Sequence, residues 1–358
     1  MRVRSKARRA LLRLSYHTRV PRLWDLLHPG RVKVLMYHGI TTKDRFDGVA
    51  NYWGYNVPVC EFAEQVRYLA RRCNPISLRD LLIGRGLSRS RLNVVLTFDD
   101  GYRNNCTNAY PVLQQFGVPA VFAVATSFVR QRKPLWNDVV EDAVNRTKRT
   151  TVEIVWGGER REFSLADAAG RLEIYNWLMY QCVIVEQTQR DAFLTQALAG
   201  LEVSATGADL YRDEDYRPLD EQQISEMSRS ELVEFASHSV QHLLLGKVDR
   251  EKKRAELVES KREIERMTGV PCTAFCVPGG SYDDVLLEEA FRAGYECVLT
   301  SDTGTARTGE RVLNRNGVFR HDLPDFVDEV HGPVGATVRT ARRAKQALGK
   351  ALRRGTSP

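Results

Sequence analysis

Short apolar runs recur along this 358-residue chain, each closing on a turn or a polar residue and each followed by a helix-length segment. Residues 32–37 (VKVLMY) end at His38-Gly39, and 94–98 (VVLTF) end at Asp99-Asp100-Gly101. A third run, 120–124 (AVFAV), follows Gly117-Val118-Pro119. Further on, 232–236 lead to Ser237-His238, 273–277 to Pro278-Gly279-Gly280, 295–300 to Ser301-Asp302, and 312–319 to Arg320-His321. Apolar and charged periodicity predicts helices between them, at 59–72, 104–116, 249–267 and 284–293. Alternation of this kind is the signature of a parallel sheet with crossover helices. In a βα barrel, reactive groups gather where the strands end, and that is where the titratable residues of this chain fall.

Residues 130–217 break the rhythm. TVEIVWGGERREF reads as a hairpin turning at Gly157-Gly158, and 165–203 as one or two polar helices. The chain thus divides into a basic N-terminal arm (1–31), a barrel (32–129 and 218–332), an insertion (130–217) and a basic tail (333–358).

Charge follows the same division. Residues 1–22 carry eight Arg or Lys and residues 335–358 carry seven, with no acid in either. The rest holds 38 basic and 45 acidic residues, so the net charge of +8 belongs to the ends and not to the globular body. A nucleic-acid-binding domain places its positive patch on the fold, so no nucleic acid partner is expected. Both ends intersperse Leu, Val or Ala with the basic residues, as amphipathic helices resting on an anionic membrane do. No run reaches the ~20 apolar residues of a membrane span, and Arg13 interrupts the only candidate for a signal-peptide core. Seven cysteines with no CxxC pair fit a reducing compartment. The expected location is cytoplasmic, at most peripheral at the inner membrane face.

Two adjacent carboxylates, Asp99 and Asp100, after a buried strand are electrostatically costly unless something compensates them. His238-Ser239-Val240-Gln241-His242 supplies two imidazoles at i and i+4, which share one face if the segment opens a helix. Two neutral imidazoles and a carboxylate make a divalent-metal site with open positions. The remaining carboxylate is then free to act as a general base.

With these motifs the sequence resembles the polysaccharide deacetylase family, metal-dependent carbohydrate esterases with a distorted (β/α) barrel. The match rests on Thr97-Phe98-Asp99-Asp100-Gly101, on His238-Ser239-Val240-Gln241-His242 and on Pro278-Gly279-Gly280-Ser281-Tyr282-Asp283, in the family's order, with VLMYHGI at 34–40 as the opening strand. The resemblance implies that Asp99 is the base and that Asp100, His238 and His242 are the metal ligands. It implies that the Gly279 peptide N–H holds the oxyanion; Pro278 is a candidate for the pocket, and His38, just after the first strand, either lines the site or, as the preferred reading, fixes a loop. It further implies hydrolysis of N- or O-acetyl groups on a polysaccharide or lipid-linked saccharide, with Zn²⁺ as the first choice of ion and Co²⁺, Ni²⁺ or Mn²⁺ as others.

Three departures bear on this reading. Cys276 stands where the family often has an arginine that orients the base, which predicts that Asp99 lacks a positive neighbour. Gly279 stands where an aromatic residue is common. The late Leu-x-His is absent, and His321 is the candidate for its general acid, with His331 as the alternative. These departures leave open a hydrolase of another C–N amide, and a catalytically silent glycan-binding module.

Overall fold

A computed structural model of the protein describes residues 12–332 apart from 15, 17, 19, 205–206 and 320–321. The strands are β1 (Val32–Tyr37), β2 (Asn93–Phe98), β3 (Ala120–Val124), the hairpin β4 (Thr151–Trp156) and β5 (Glu159–Ser164), β6 (Val233–Ser237), β7 (Ala274–Cys276), β8 (Cys297–Leu299), β9 (Val312–Leu313) and β10 (Asn316–Gly317). The helices that matter below are α1 (Val20–Leu27), α2 (Val59–Arg72), α3 (Tyr110–Phe116), α4 (Trp136–Arg146), α5 (Ala168–Ile184), α6 (Arg190–Leu201), α7 (Arg250–Thr268), α8 (Asp284–Arg292) and α9 (Leu323–His331).

Apart from the hairpin and a short parallel pair, Gly39–Thr41 with Asn56–Pro58, the strands join one sheet in the order β9-β8-β7-β6-β3-β2-β1-β10, with Asn74–Pro75 beside β2. Every neighbouring pair is parallel. Both faces are covered, so the strands read as continuous apolar runs, and all six residues of β2 are buried. Phe98 lies opposite Phe122, and Val124 opposite Ser237, so the residues after β2 and after β6 leave the sheet at one edge.

The segment expected as one last strand, 312–319, is two short ladders. Val312–Leu313 pair with β8 at one end of the sheet, and Asn316–Gly317 pair with β1 at the other. Only Asn314 and Arg315 lie between, so three Cα steps, about 11 Å at most, separate the two edges. The sheet therefore curls round on itself, as the distorted (β/α) barrel requires.

Local sequence sets the helix ends. Asp249 caps α7 by accepting from the Lys252 amide, and Gly269 ends it with φ 73°. Asp283 caps α8 at the Leu286 amide and pairs with Lys253 at 2.6 Å, which accounts for it structurally. The predicted helix 104–116 begins instead with a π turn at Asn105–Ala109 and continues as α3. Asparagines hold that turn against the loop after β1, Asn105 Nδ2 donating to the His38 carbonyl and Asn108 Nδ2 to that of Ile40.

A second apolar core belongs to the segment between β3 and β6. Trp136, Val140, Val144, Val152, Phe163, Tyr175, Leu178, Phe193 and Leu201 pack together, joining α4, the hairpin, α5 and α6. The hairpin turns at Gly157-Gly158, as the sequence predicted.

Candidate active site

The chain leaves β2 through two consecutive left-handed residues, Asp100 (φ 80°) and Gly101 (φ 92°). A Cβ at Gly101 would meet the Val124 side chain at 3.2 Å on top of the φ strain, so glycine is required there. The Asp100 carbonyl accepts from the Ala125 amide at 3.1 Å, which ties the turn to β3 and aims both carboxylates at the strand-end edge. A left-handed aspartate costs about 1–3 kcal/mol and persists where its surroundings over-determine it.

Residues 238–242 do not open a helix; the next α-helix starts at Arg250. They form a loop with Ser239 (φ 66°) and His242 (φ 50°) left-handed. The buried Glu256 of α7 accepts the amides of Val240 and Gln241 at 2.8 and 2.9 Å, and Ser239 Oγ accepts that of His242 at 3.1 Å. The loop achieves what the helix was expected to do. Asp100, His238 and His242 each offer a ligand atom, all within 4.8 Å of one another.

His238 Nδ1 donates to the Cys276 carbonyl at 2.8 Å, which leaves Nε2 with its lone pair, 3.4 Å from Asp100 Oδ1. His242 Nε2 lies 3.3 Å from the same oxygen. Lone pairs that converge on a carboxylate oxygen need a cation or an extra proton between them. The residues therefore fit a divalent ion with a carboxylate-and-two-imidazole donor set. Burial pushes Asp100 up, but hydrogen bonds to His238 and His242 outweigh it and hold it well below the usual carboxylate range. Burial lowers His242; it also opposes charge on His238, where Asp99 and Asp100 prevail and raise it.

Asp99 does have a positive neighbour. Arg315, fully buried, donates Nη1 to Asp99 Oδ1 at 2.6 Å and Nη2 to Oδ2 at 2.9 Å. Its Nε binds the Thr300 carbonyl at 2.9 Å. Burial raises Asp99, and Arg315 overcomes this to hold it below the ordinary value. The expectation drawn from Cys276 is thus corrected: the charge arrives from between β9 and β10. Cys276 serves through its carbonyl on His238. The signal in the sequence was an arginine inside a predicted strand, VLNRNGVF.

These groups open into a cavity of about 370 Å³ lined also by His38, Tyr55, Tyr102, Gly279 and Phe319, and by Trp136, Asp138, Glu141 and Tyr175 of the segment between β3 and β6. Gly279 (φ 56°) is packed so closely that a Cβ would meet Leu244 Cδ2 at 2.5 Å, which explains why no aromatic residue stands there. Pro278 is buried but does not line the cavity. His38 stacks near Tyr55, ring centroids 4.7 Å apart, and burial lowers its pKa against the pull of Asp100 and Asp99. Tyr102 Oη donates to Asp138 at 3.0 Å; burial, then the neighbouring Glu141, push the Asp138 carboxyl well above the usual range. Neither Asp138 nor Arg315 stood out by motif.

His321 lies outside the described residues. The alternative, His331, is excluded by its place: it is buried between Asp25 (3.0 Å) and Tyr68 (3.0 Å), away from the cavity.

Comparison with known proteins agrees with this geometry. The family model described as polysaccharide deacetylase matches residues 88–154 and 187–298, half of the chain. A protein of Bacillus subtilis (strain 168), YxkH, named provisionally as a polysaccharide deacetylase, is 20% identical over 283 residues, 78% of this chain and 67% of its own. Among solved structures, the Streptococcus pyogenes deacetylase PplD in complex with acetate superposes with a TM-score of 0.53 at 19% identity, covering 85% of this chain and all of that one. IcaB from Ammonifex degensii gives 0.51 at 18% identity, covering 84% of this chain and 96% of its own. At these identities the structural likeness speaks for the fold alone.

Proposed function

The chain belongs to the polysaccharide deacetylase family, and on that premise we propose that it is a glycan deacetylase in which Asp99 is the general base and Asp100, His238 and His242 hold a divalent ion, Zn²⁺ before Co²⁺, Ni²⁺ or Mn²⁺. The observation that carries the reading is the division of two adjacent buried carboxylates, Asp100 facing both imidazoles and Asp99 clasped by Arg315. A divalent ion bound there supplies Lewis-acid polarisation of the acetyl carbonyl and lowers the pKa of water.

The residues of the chain do the rest. Arg315 keeps Asp99 ionised and fixed, so that it is ready to accept a proton. His238 is held to one tautomer by Cys276. The Gly279 peptide N–H, on the cavity wall, is the proposed oxyanion donor. His321 is the proposed general acid, two residues beyond Phe319, which lines the cavity. We take residues 130–217 as an insertion whose α4 and α5 complete the cavity.

Because Arg315 supplies the charge missing at Cys276, one of the two grounds for a different amide substrate falls away. All four motif residues are present and assembled, which speaks against a silent binding module.

We also propose a peripheral contact with an anionic membrane. Val20, Leu23, Leu26 and Leu27 of α1 are 41–73% exposed and share one helix face. Arg31 Nη2 donates to the His331 carbonyl and His331 binds Asp25, so both basic ends join the body at one corner. No helix of the described residues is long and apolar enough to cross a membrane. All seven cysteines are free, which supports the cytoplasmic side.

The test is acetate release from a panel of acetylated saccharides by the Zn²⁺- or Co²⁺-loaded protein. Asp99→Asn should bind the metal normally and lose about 10²–10⁴-fold in turnover, while Asp100→Ala and His242→Ala should lose the metal. A fully active Asp99→Asn, or release of another acid or ammonia in place of acetate, overturns the reading.

A further inference from the structure

The backbone that carries His242 is gripped from outside the sheet. Arg190, which starts α6, is buried and donates Nη1 to the His242 carbonyl at 3.2 Å and Nη2 to the Gln241 carbonyl at 3.3 Å. Nη1 also reaches Gln187 Oε1 at 3.2 Å, and that oxygen accepts the Leu244 amide at 3.2 Å. Gln187 is buried too, its Nε2 anchored on the carbonyls of Cys182 and Val185. Two side chains at the start of α6 thus hold three backbone groups, one at His242 itself and one on either side of it.

The arrangement is a demanding one. Arg190 has no carboxylate within ion-pairing distance among the described residues; its charge is met by carbonyls, by Gln187 and by the face of Trp136, 5.4 Å from the ring centroid. Burial lowers its pKa, the sign of a cation taken out of water. A forked donor suits this task and a lysine does not, because two carbonyls and an amide oxygen must be bound at fixed angles. Meanwhile His242 keeps a left-handed backbone (φ 50°) that a histidine does not adopt freely. Its amide is fixed through Ser239, and its carbonyl is fixed through Arg190.

We propose that Arg190 and Gln187 are positioning residues of the metal site, and that the start of α6 sets the affinity for the divalent ion by locking His242 in place. The proposal rests on the reading of His242 as a ligand. Groups that orient a ligand typically change metal affinity about 10–100-fold when lost.

The experiment compares full-length wild type with Arg190→Met, Arg190→Lys, Gln187→Leu and His242→Ala. Zn²⁺ and Co²⁺ dissociation constants are measured against a competing chelator, with the Co²⁺ visible spectrum as the reporter of geometry. Arg190→Met should weaken binding about 10–100-fold and alter the Co²⁺ bands. Arg190→Lys should rescue only part of this, and Gln187→Leu should act in the same direction. A purely structural contact would lower the melting temperature of the metal-free protein and leave the dissociation constants alone. Constants within twofold of wild type in both Arg190→Lys and Gln187→Leu would overturn the proposal, and these two keep the test open if Arg190→Met does not fold. If His242→Ala binds metal as tightly as wild type, the ligand assignment itself is what fails.

Discussion

Arg315 holds both carboxylate oxygens of Asp99 from 216 residues further along the chain, at 2.6 and 2.9 Å, with both side chains buried. Removing one partner of such a pair strands the other as an uncompensated buried charge, at about 3–5 kcal/mol. Arg315→Met should therefore lower stability by that order. It also removes what depresses the Asp99 pKa, so the acid limb of the kcat/KM profile should move to higher pH. Arg315→Lys should keep the charge, lose the fork, and fall between the two. An acid limb unmoved in Arg315→Met would show that Asp99 is not the group whose ionisation limits the reaction.

The carboxyl of Asp138 gives the opposite sign. Burial, with Glu141 beside it, raises it in the folded state, so between the ordinary aspartate value and that raised value the native protein binds the extra proton. Stability then falls as pH rises through this window, with a slope of up to about 1.4 kcal/mol per pH unit. Asp138→Asn still offers an acceptor to Tyr102 and has no proton to lose. Denaturant titrations of metal-free protein from acid to neutral pH should show a flatter profile for Asp138→Asn than for wild type. Parallel profiles would mean that Asp138 titrates as an ordinary carboxylate.

The apolar stripe on α1 makes the membrane proposal checkable. Full-length protein should co-sediment with phosphatidylglycerol-containing vesicles and not with pure phosphatidylcholine, and salt should release it. Leu23→Ser with Leu27→Ser, at positions 57% and 73% exposed, should weaken binding without changing acetate release. Equal binding to both kinds of vesicle, or none to either, removes the basic ends from the argument.

Much of the site was legible because its parts lie at strand ends that the sequence marks clearly. LTFDDG ends one short apolar run and HSVQH follows another, and the sheet order brings those two strand ends to one edge. The geometry between them was not legible. An i, i+4 pair of histidines reads as helical, yet Glu256, Ser239 and Arg190 stabilise left-handed residues that local propensity disfavours. Arg315 escaped for a different reason. The positive charge was sought beside Pro278, on one strand, whereas the fold delivers the same charge to the same place from another. Position in a motif and position in space are separate quantities, and only the second acts on Asp99. The single strand expected at 312–319 failed likewise, since nothing local says that a segment will change partners halfway.

That change of partners has a consequence for the order in which the molecule can be completed. The two residues that bridge the sheet's first and last edges include the arginine on which Asp99 depends. A growing chain that has not yet emerged past residue 315 already possesses both histidines and both aspartates, but its future base has no counter-ion and its sheet has no seam. Bringing the two edges of the sheet together and setting a counter-ion beside Asp99 thus depend on the same short stretch of chain.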